Sequence, residues 1–323
     1  MAQFLLKTRL ALELPKISAA LERAENTLPQ EVRPVCHHIL ASQGKRLRPF
    51  LAILFARLLG QKKDDIYDLS VSLEMLHAAT LLHDDVLDNA SQRRGKPSAH
   101  TIYPVTTTIL SGDALLAAGN ALVARFGNPD LSAAYSRATM ATCAGEIAEL
   151  SSQYSVDNTL DHYIAIITGK TAKLIGAACE MGAIYAHASN DERRASVRFG
   201  EAVGIAFQLV DDALDFAKEE ETGKPAGGDL KEGKLTLPIR YYRDSLTEND
   251  RADFDAQFTQ GKLSDALCQK SIESIRANGW DTKTRAYADT YLAQAIEALM
   301  TLPDREERGL LRDVTHFVRD RKK

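Results

Sequence analysis

Residues Ala78 to Gly95 read AATLLHDDVLDNASQRRG, an apolar run that ends in three aspartates, with two arginines and a glycine behind them. Helical spacing puts Asp84 and Asp88 on one face, about 6 Å apart. Asp85 is turned roughly 100° away from Asp84. Carboxylates at the end of an apolar helix need something to offset their desolvation. A hard divalent cation held by oxygen ligands does so, and the arginines can hold an anion shared with that cation. The device recurs once, in QLVDDALD, at Asp211, Asp212 and Asp215.

Outward from this stretch the signals are helical. Prolines fall mostly at element boundaries, and long segments between them repeat apolar residues at three- and four-residue spacing. The segments Val71–Asp88, Gly112–Ala124, Ala133–Tyr154, Tyr163–Ala186 and Glu192–Phe216 are apolar over most of their circumference, as helices inside a bundle are. Alternating strand patterns with tight turns are nearly absent, so the chain reads as all-α. After about residue 244 the sequence is more charged and reads as peripheral amphipathic helices. No low-complexity linker appears, and residues 1–323 read as one domain.

The 323 residues are 45% hydrophobic and 26% charged, ordinary for a globular protein with an ample core. A net charge of −4 gives no support to nucleic-acid binding. Cys36, Cys143, Cys179 and Cys268 form no CxxC pair, which fits a reducing, cytoplasmic setting without disulfides or zinc. The N-terminal segment lacks the pattern of a signal peptide, and no run reaches the ~18 apolar residues of a membrane span.

One DDxxD pattern is usually a solvated helix end. Two of them, converging without partners, would repel each other and raise their own pKa values. Mg²⁺ removes that conflict, since it takes one or two carboxylates together with phosphate oxygens. The pair therefore suggests a site for a Mg²⁺–diphosphate complex. Basic segments supply the rest: Gly44-Lys45-Arg46-Leu47-Arg48-Pro49 before an apolar helix, Arg93-Arg94-Gly95 after the first acidic motif, and Thr222-Gly223-Lys224 with Glu232-Gly233-Lys234 after the second. Alone, the first is a surface charge run, and the second equally balances the aspartates. Gly169-Lys170-Thr171 interrupts an apolar helix, where the glycine costs about 1 kcal/mol against alanine and the lysine needs an anion. His77 lies two turns before Asp84 on roughly the same face, suited to donate to an anion held with Lys45 and Arg48. His83 has at most a supporting place. Zinc-hydrolase, nucleophile-elbow and dinucleotide motifs are missing.

GKRLRP, LLHDDVLDNASQRRGKP, SGDALL, GKT, FQLVDDALDF and TGKPAGGDLKEGKLTLP, in that order, resemble the trans-isoprenyl diphosphate synthases, or polyprenyl synthetases. The resemblance runs from the GKRLRP loop to the C-terminal FVRDRKK. It implies an isoprenoid synthase fold, a large antiparallel helical bundle around a central cavity, and a homodimer. It also implies Mg²⁺, three ions with diphosphate bound, on Asp84, Asp88 and Asp211, with Asp85, Asp212 and Asp215 in support. Arg93, Lys170, Thr171, Gln208, Lys224 and Lys234 match positions that contact the allylic diphosphate. Lys45, Arg48, His77 and Arg94 match the pocket for isopentenyl diphosphate. The implied reaction is a 1′-4 trans condensation. The allylic cation left by departing diphosphate is attacked by the double bond of isopentenyl diphosphate, and the diphosphate takes up the proton. His100, Tyr103-Pro104-Val105 and Gly228 depart from the family pattern and bear on loop shape.

In the family, bulky residues four or five positions before the first motif stop short products. Ala79 and Thr80 stand there, and the motif lacks the two-residue insertion of many short-chain enzymes. Both features resemble long-chain synthases that make quinone side chains, with Tyr135 or Met140 expected as a deeper floor. The alternatives are a short-chain farnesyl or geranylgeranyl diphosphate synthase and a non-catalytic helical partner subunit. The latter characteristically loses aspartate motifs that are intact here.

Overall fold

The computed structural model describes residues 2–41, 44–93, 95–219 and 225–322. Arg94 and Lys224, expected at the two diphosphates, lie outside the described residues. The described chain is mainly helical, in agreement with the all-α reading. Strand structure among the described residues is limited to a two-residue ladder, Gln92–Arg93 against Lys96–Pro97. Gly95, in its turn, has φ 75°, a left-handed value that glycine adopts without steric cost.

The chain divides into two compact units. The first comprises Met1–Thr139, Ala177–Val197 and Leu302–Leu311, and the second Met140–Gly176, Arg198–Thr301 and Arg312–Lys323. The divisions at 139 and 176 fall inside the helices Pro129–Ser152 and Lys173–Tyr185. No linker composition marks them in the sequence for that reason.

In the first unit, helix Ile66–Leu87 is apolar nearly all round because other helices surround it. It packs against Val105–Ala124, Leu47–Leu58 and Ala2–Glu25. Its buried Ser70 and Ser72 hydroxyls bond back to the carbonyls of Tyr67 and Leu69, 2.9 and 2.6 Å away, which satisfies them without an outside partner. Helix Val105–Ala124 starts seven residues earlier than the sequence suggests, directly after Pro104. The threonine run 106–108 hides the start, because β-branched residues weaken a helical pattern. With Asp113 as its single charge, this helix is long and apolar enough to cross a membrane, contrary to the expectation of no such segment. Here it packs against Ile66–Leu87 as a core helix does. Pro129 opens the next helix at its first position, where its missing N–H costs nothing.

The second unit has its own core, built from Phe216, Leu230, Ile239, Tyr242, Phe254, Phe258 and Ile272 among others. Phe254 and Phe258 stack at 5.5 Å. Of the segments after residue 244, Glu248–Thr259 and Asp265–Ala277 bury Phe254, Phe258, Ile272 and Ile275 in this core. The expected helix Tyr163–Ala186 is interrupted. Leu160–Ile167, capped by Thr159, passes into a π-helical turn at Thr168–Ala172 and then into Lys173–Tyr185.

Candidate active site

In the first unit, helix Ile66–Leu87 delivers Asp84 and Asp85 in its last turn, and Asp88 caps its C-terminus. Asn89 ends the helix at φ 47°, a conformation that a short polar side chain tolerates. Asp88 is exposed, Asp84 half-buried and Asp85 buried at 1%. The hairpin turns Arg93 back onto the helix, where its Nε donates to Asp85 Oδ1 at 2.6 Å. Asp85 Oδ2 is buried and accepts no hydrogen bond among the described residues. His83 Nε2 donates to the Ile109 carbonyl at 3.0 Å, and its ring lies where a Cβ on Gly112 would stand. That glycine lets two helices close on the imidazole, which packs between them.

The GKRLRP loop is anchored by the arginine the sequence reading left aside. Arg46, at φ 47°, donates to buried Glu74 at 2.6 Å. Glu74 lies three residues before His77 on helix Ile66–Leu87, so the pair ties Lys45 and the start of helix Leu47–Leu58, which bears Arg48, to the helix bearing His77. Ala79 is fully buried, and the Thr80 hydroxyl bonds back to the His77 carbonyl at 2.9 Å. Tyr135 is buried, and its hydroxyl donates to the Leu116 carbonyl at 3.3 Å. Gly119 makes room for it, since a Cβ there would meet the hydroxyl at 2.3 Å. Met140 is 64% exposed, which corrects its expected place. A side chain on the outer face of helix Pro129–Ser152 does not floor a cavity within the chain.

In the second unit, Asp211 and Asp212 end helix Asn190–Leu214, and Asp215 follows it. Asp212 is buried and doubly held. The Tyr163 hydroxyl donates to its Oδ2, and Gln208 Nε2 donates to its Oδ1 at 2.8 Å. Thr171, in the π-turn, donates to Gln208 Oε1 at 2.9 Å, so the GKT and FQLVDD motifs share one network. Burial pushes the Asp212 carboxyl up to about 7. Its two donors oppose the rise, and the charges of Asp211 and Glu149 add to it. Asp215 accepts from the backbone N–H groups of Gly228 and Asp229, both at 3.1 Å, and so fastens the loop behind the motif. Burial and the charges of Asp215 and Asp212 hold the Asp229 carboxyl well above the usual range. Asp211 pairs with Arg321 at 2.8 Å, and that guanidinium also lies over the Phe207 ring, 4.3 Å from its centre.

Lys170 and Lys234 meet at carboxylates the sequence reading did not single out. Lys170 bonds Glu149 and lies 2.9 Å from Glu146, while Lys234 lies 3.6 Å from Glu149 and 2.6 Å from Glu232. Two glutamates one turn apart, in a stretch of helix Pro129–Ser152 with no other charge after Arg137, were the available signal. For Tyr163, Arg46 and Arg321 the sequence held none, because their partners lie far along the chain.

No group of three His, Cys, Asp or Glu among the described residues is gathered closely enough to hold a metal ion by itself. Mg²⁺ does not need one, because it takes one or two carboxylates and completes its shell with water and phosphate. The orphaned oxygen of Asp85 in the first unit, and in the second that of Glu146 beside the raised Asp212 and Asp229, are what carboxylates short of cations present. The donor set fits the ion.

An all-α chain with two acidic helix ends, each backed by cations, is built to handle diphosphates. The chain belongs to the polyprenyl synthetase family, whose model matches residues 29–275. It is 34% identical over 307 residues to a heptaprenyl diphosphate synthase component 2 from Geobacillus stearothermophilus, covering 95% of both chains. It is similar to the crystal structure of a decaprenyl diphosphate synthase from Rhodobacter capsulatus, at a TM-score of 0.91 and 34% identity over 98% of this chain and 99% of that one. It is also similar to a polyprenyl synthase from Caulobacter crescentus CB15 complexed with calcium and isoprenyl diphosphate. That match has a TM-score of 0.91 and 30% identity, covering 98% of each chain. The expected enzyme class stands: the chain is a prenyltransferase that builds polyprenyl diphosphates.

Proposed function

We propose that the enzyme joins isopentenyl diphosphate to an allylic diphosphate by 1′-4 trans condensation, with Mg²⁺ bound, and makes a long chain for a quinone. One observation carries the site assignment. Three motifs meant for one diphosphate meet in the second unit: Thr171 bonds Gln208, Gln208 bonds Asp212, and Lys170 and Lys234 meet at Glu149. In this reading Asp84, Asp88 and Asp211 hold Mg²⁺, three ions in all, with Asp85, Asp212 and Asp215 supporting them. Bound Mg²⁺ neutralises charge on the leaving diphosphate. Lys170, Lys234 and Arg93 add donors where that charge develops. Lys45, Arg48 and His77 orient isopentenyl diphosphate for attack.

The test is turnover by purified protein with isopentenyl and farnesyl diphosphates, with Mg²⁺ and with a chelator. Chain extension that ignores the chelator, or that survives Asp84→Ala, sinks the reading. Ala79 and Thr80 leave the path below the first motif open to a long product, and buried Tyr135 forms its floor. Tyr135→Ala should lengthen the product by about one isoprene unit, since a helical turn rises ~5.4 Å. Products of farnesyl or geranylgeranyl length from the unaltered protein would select the short-chain alternative.

The polyprenyl synthetase domain spans both units, as the matched range 29–275 does. A cytoplasmic homodimer is the assembly we favour. Helix Pro129–Ser152 exposes a nearly uncharged stripe containing Ala133, Ser136, Met140, Cys143 and Ile147, with Met140 at 64% and Ile147 at 63%. The relative named as component 2 raises a second reading, an obligatory partner subunit. Light scattering on the purified chain, paired with its activity alone, separates the two. An active dimer supports the first, and an inactive chain restored by a second protein supports the other.

A further inference from the structure

Helix Pro129–Ser152 and the π-turn cross with their backbones in contact. A Cβ on Gly145 would stand 2.3 Å from the Lys170 amide nitrogen, and one on Gly169 would stand 3.0 Å from Gly145 Cα. The residue after each glycine is charged, so the crossing brings Glu146 and Lys170 within 2.9 Å. Glu149, one turn further, bonds the same ammonium and lies 3.6 Å from Lys234, which arrives from a distant loop. These side chains are largely shielded, at 23% exposure for Lys170, 16% for Lys234 and 18% for Glu149. Two shielded ammonium groups this close repel unless an anion lies beside both. Burial works against the charge on Lys170, and Glu149 and Glu146 outweigh it.

We propose that Glu149 is a positioning residue of the transfer reaction: it holds Lys170 and Lys234 side by side as a preset cation pair for the departing diphosphate, with Glu146 as a second anchor of Lys170. The inference rests on the reading that both lysines meet the allylic diphosphate. A lysine on its four-carbon stem has many rotamers, and it serves a transition state best when it needs no reorganisation. As the allylic C–O bond breaks, its electron pair leaves with the diphosphate, and charge grows where the pair waits. Loss of Glu149 therefore shows in kcat more than in KM.

The test is steady-state kinetics of the full chain with isopentenyl and farnesyl diphosphates. Glu149→Gln keeps the size and drops the charge. It is expected to lower kcat about tenfold, with KM for the allylic substrate moving less than about threefold and Tm unchanged. Glu149→Asp should recover part of the loss. Lys170→Gln and Lys234→Gln should each lose activity, and adding Glu149→Gln to the lysine double variant should cost less than about twofold more. Wild-type kinetics in both lysine variants would bring down the diphosphate reading itself. Impaired lysine variants beside a wild-type kcat in Glu149→Gln overturn the positioning role and leave that reading standing. Should Glu149→Gln lower Tm, Glu149→Asp decides: a reduced kcat at wild-type Tm supports the role, and a wild-type kcat overturns it.

Discussion

The two acidic motifs share a DDxxD spelling and are held in different ways. Each buries its middle aspartate, Asp85 at 1% and Asp212 at 5% exposure. Asp85 is held by a cation, Arg93 on a hairpin, whereas Asp212 is held by the neutral donors Tyr163 and Gln208. The third aspartate also differs. Asp88 is exposed at a helix end, and Asp215 is used up on the backbone of the following loop. The contrast teaches that a motif sets which carboxylates face outward, while the support for the inward one is drawn from whatever the local fold supplies.

The largest effects should fall on the outward positions. Asp84→Ala and Asp211→Ala are each expected to lower kcat/KM by about a hundredfold or more, with near wild-type Tm. A large loss in one and not the other would mean the motifs are unequal in the chemistry as well as in their support. The inward positions should separate by stability. Asp85→Asn leaves Arg93 without its carboxylate and is expected to cost about 2 kcal/mol in urea denaturation. Asp212→Asn should cost less than about 1 kcal/mol, because the carboxyl is already raised and Gln208 can turn its amide to accept. Equal costs would mean that the two inward carboxylates are held alike.

The same carboxyl gives a pH signature. Asp212 titrates at about 7 in the folded chain and at roughly 4 when unfolded, because burial disfavours its charge. Between those values the folded state keeps a proton the unfolded state has lost. Its contribution to stability therefore declines as pH rises from roughly 4 to 7 and is level above. Denaturation series at several pH values should show this decline flattened in Asp212→Asn, and an unchanged slope there would assign it to another group. Tyr163→Phe removes one donor to Asp212 and should cost about 1 kcal/mol. The smallest effect is expected from Arg321→Ala. Its ion pair with a half-exposed Asp211 is worth under about 1 kcal/mol in Tm shifts or denaturation.

The helices were largely legible, because an apolar face repeats along the chain whatever lies opposite it. Ile66–Leu87 and Asn190–Leu214 could be read to within a few residues for that reason. The hairpin at 92–97 was not, since two-residue strands leave no period to read. The acidic motifs and GKT announced themselves as charges at the ends or in the middle of apolar runs. Their partners did not: Tyr163, Glu146 and Glu149 become meaningful through contacts with residues far along the chain. The sequence showed that Gly169 was costly in a helix. That the cost is offset by a backbone crossing at Gly145 belongs to tertiary structure.

The π-turn at Thr168–Ala172 carries one residue more than an α-helical path of the same span would. A single-codon deletion there would let the segment relax into an unbroken α-helix. The flanking helices would keep their directions, and the residues of the turn itself would be re-aimed. The lysine would swing off its carboxylates while helix content, hydrophobicity and charge pattern stayed almost the same. Such a lesion would look silent in circular dichroism and severe in turnover, and for that reason insertions and deletions at this bend tell more than substitutions.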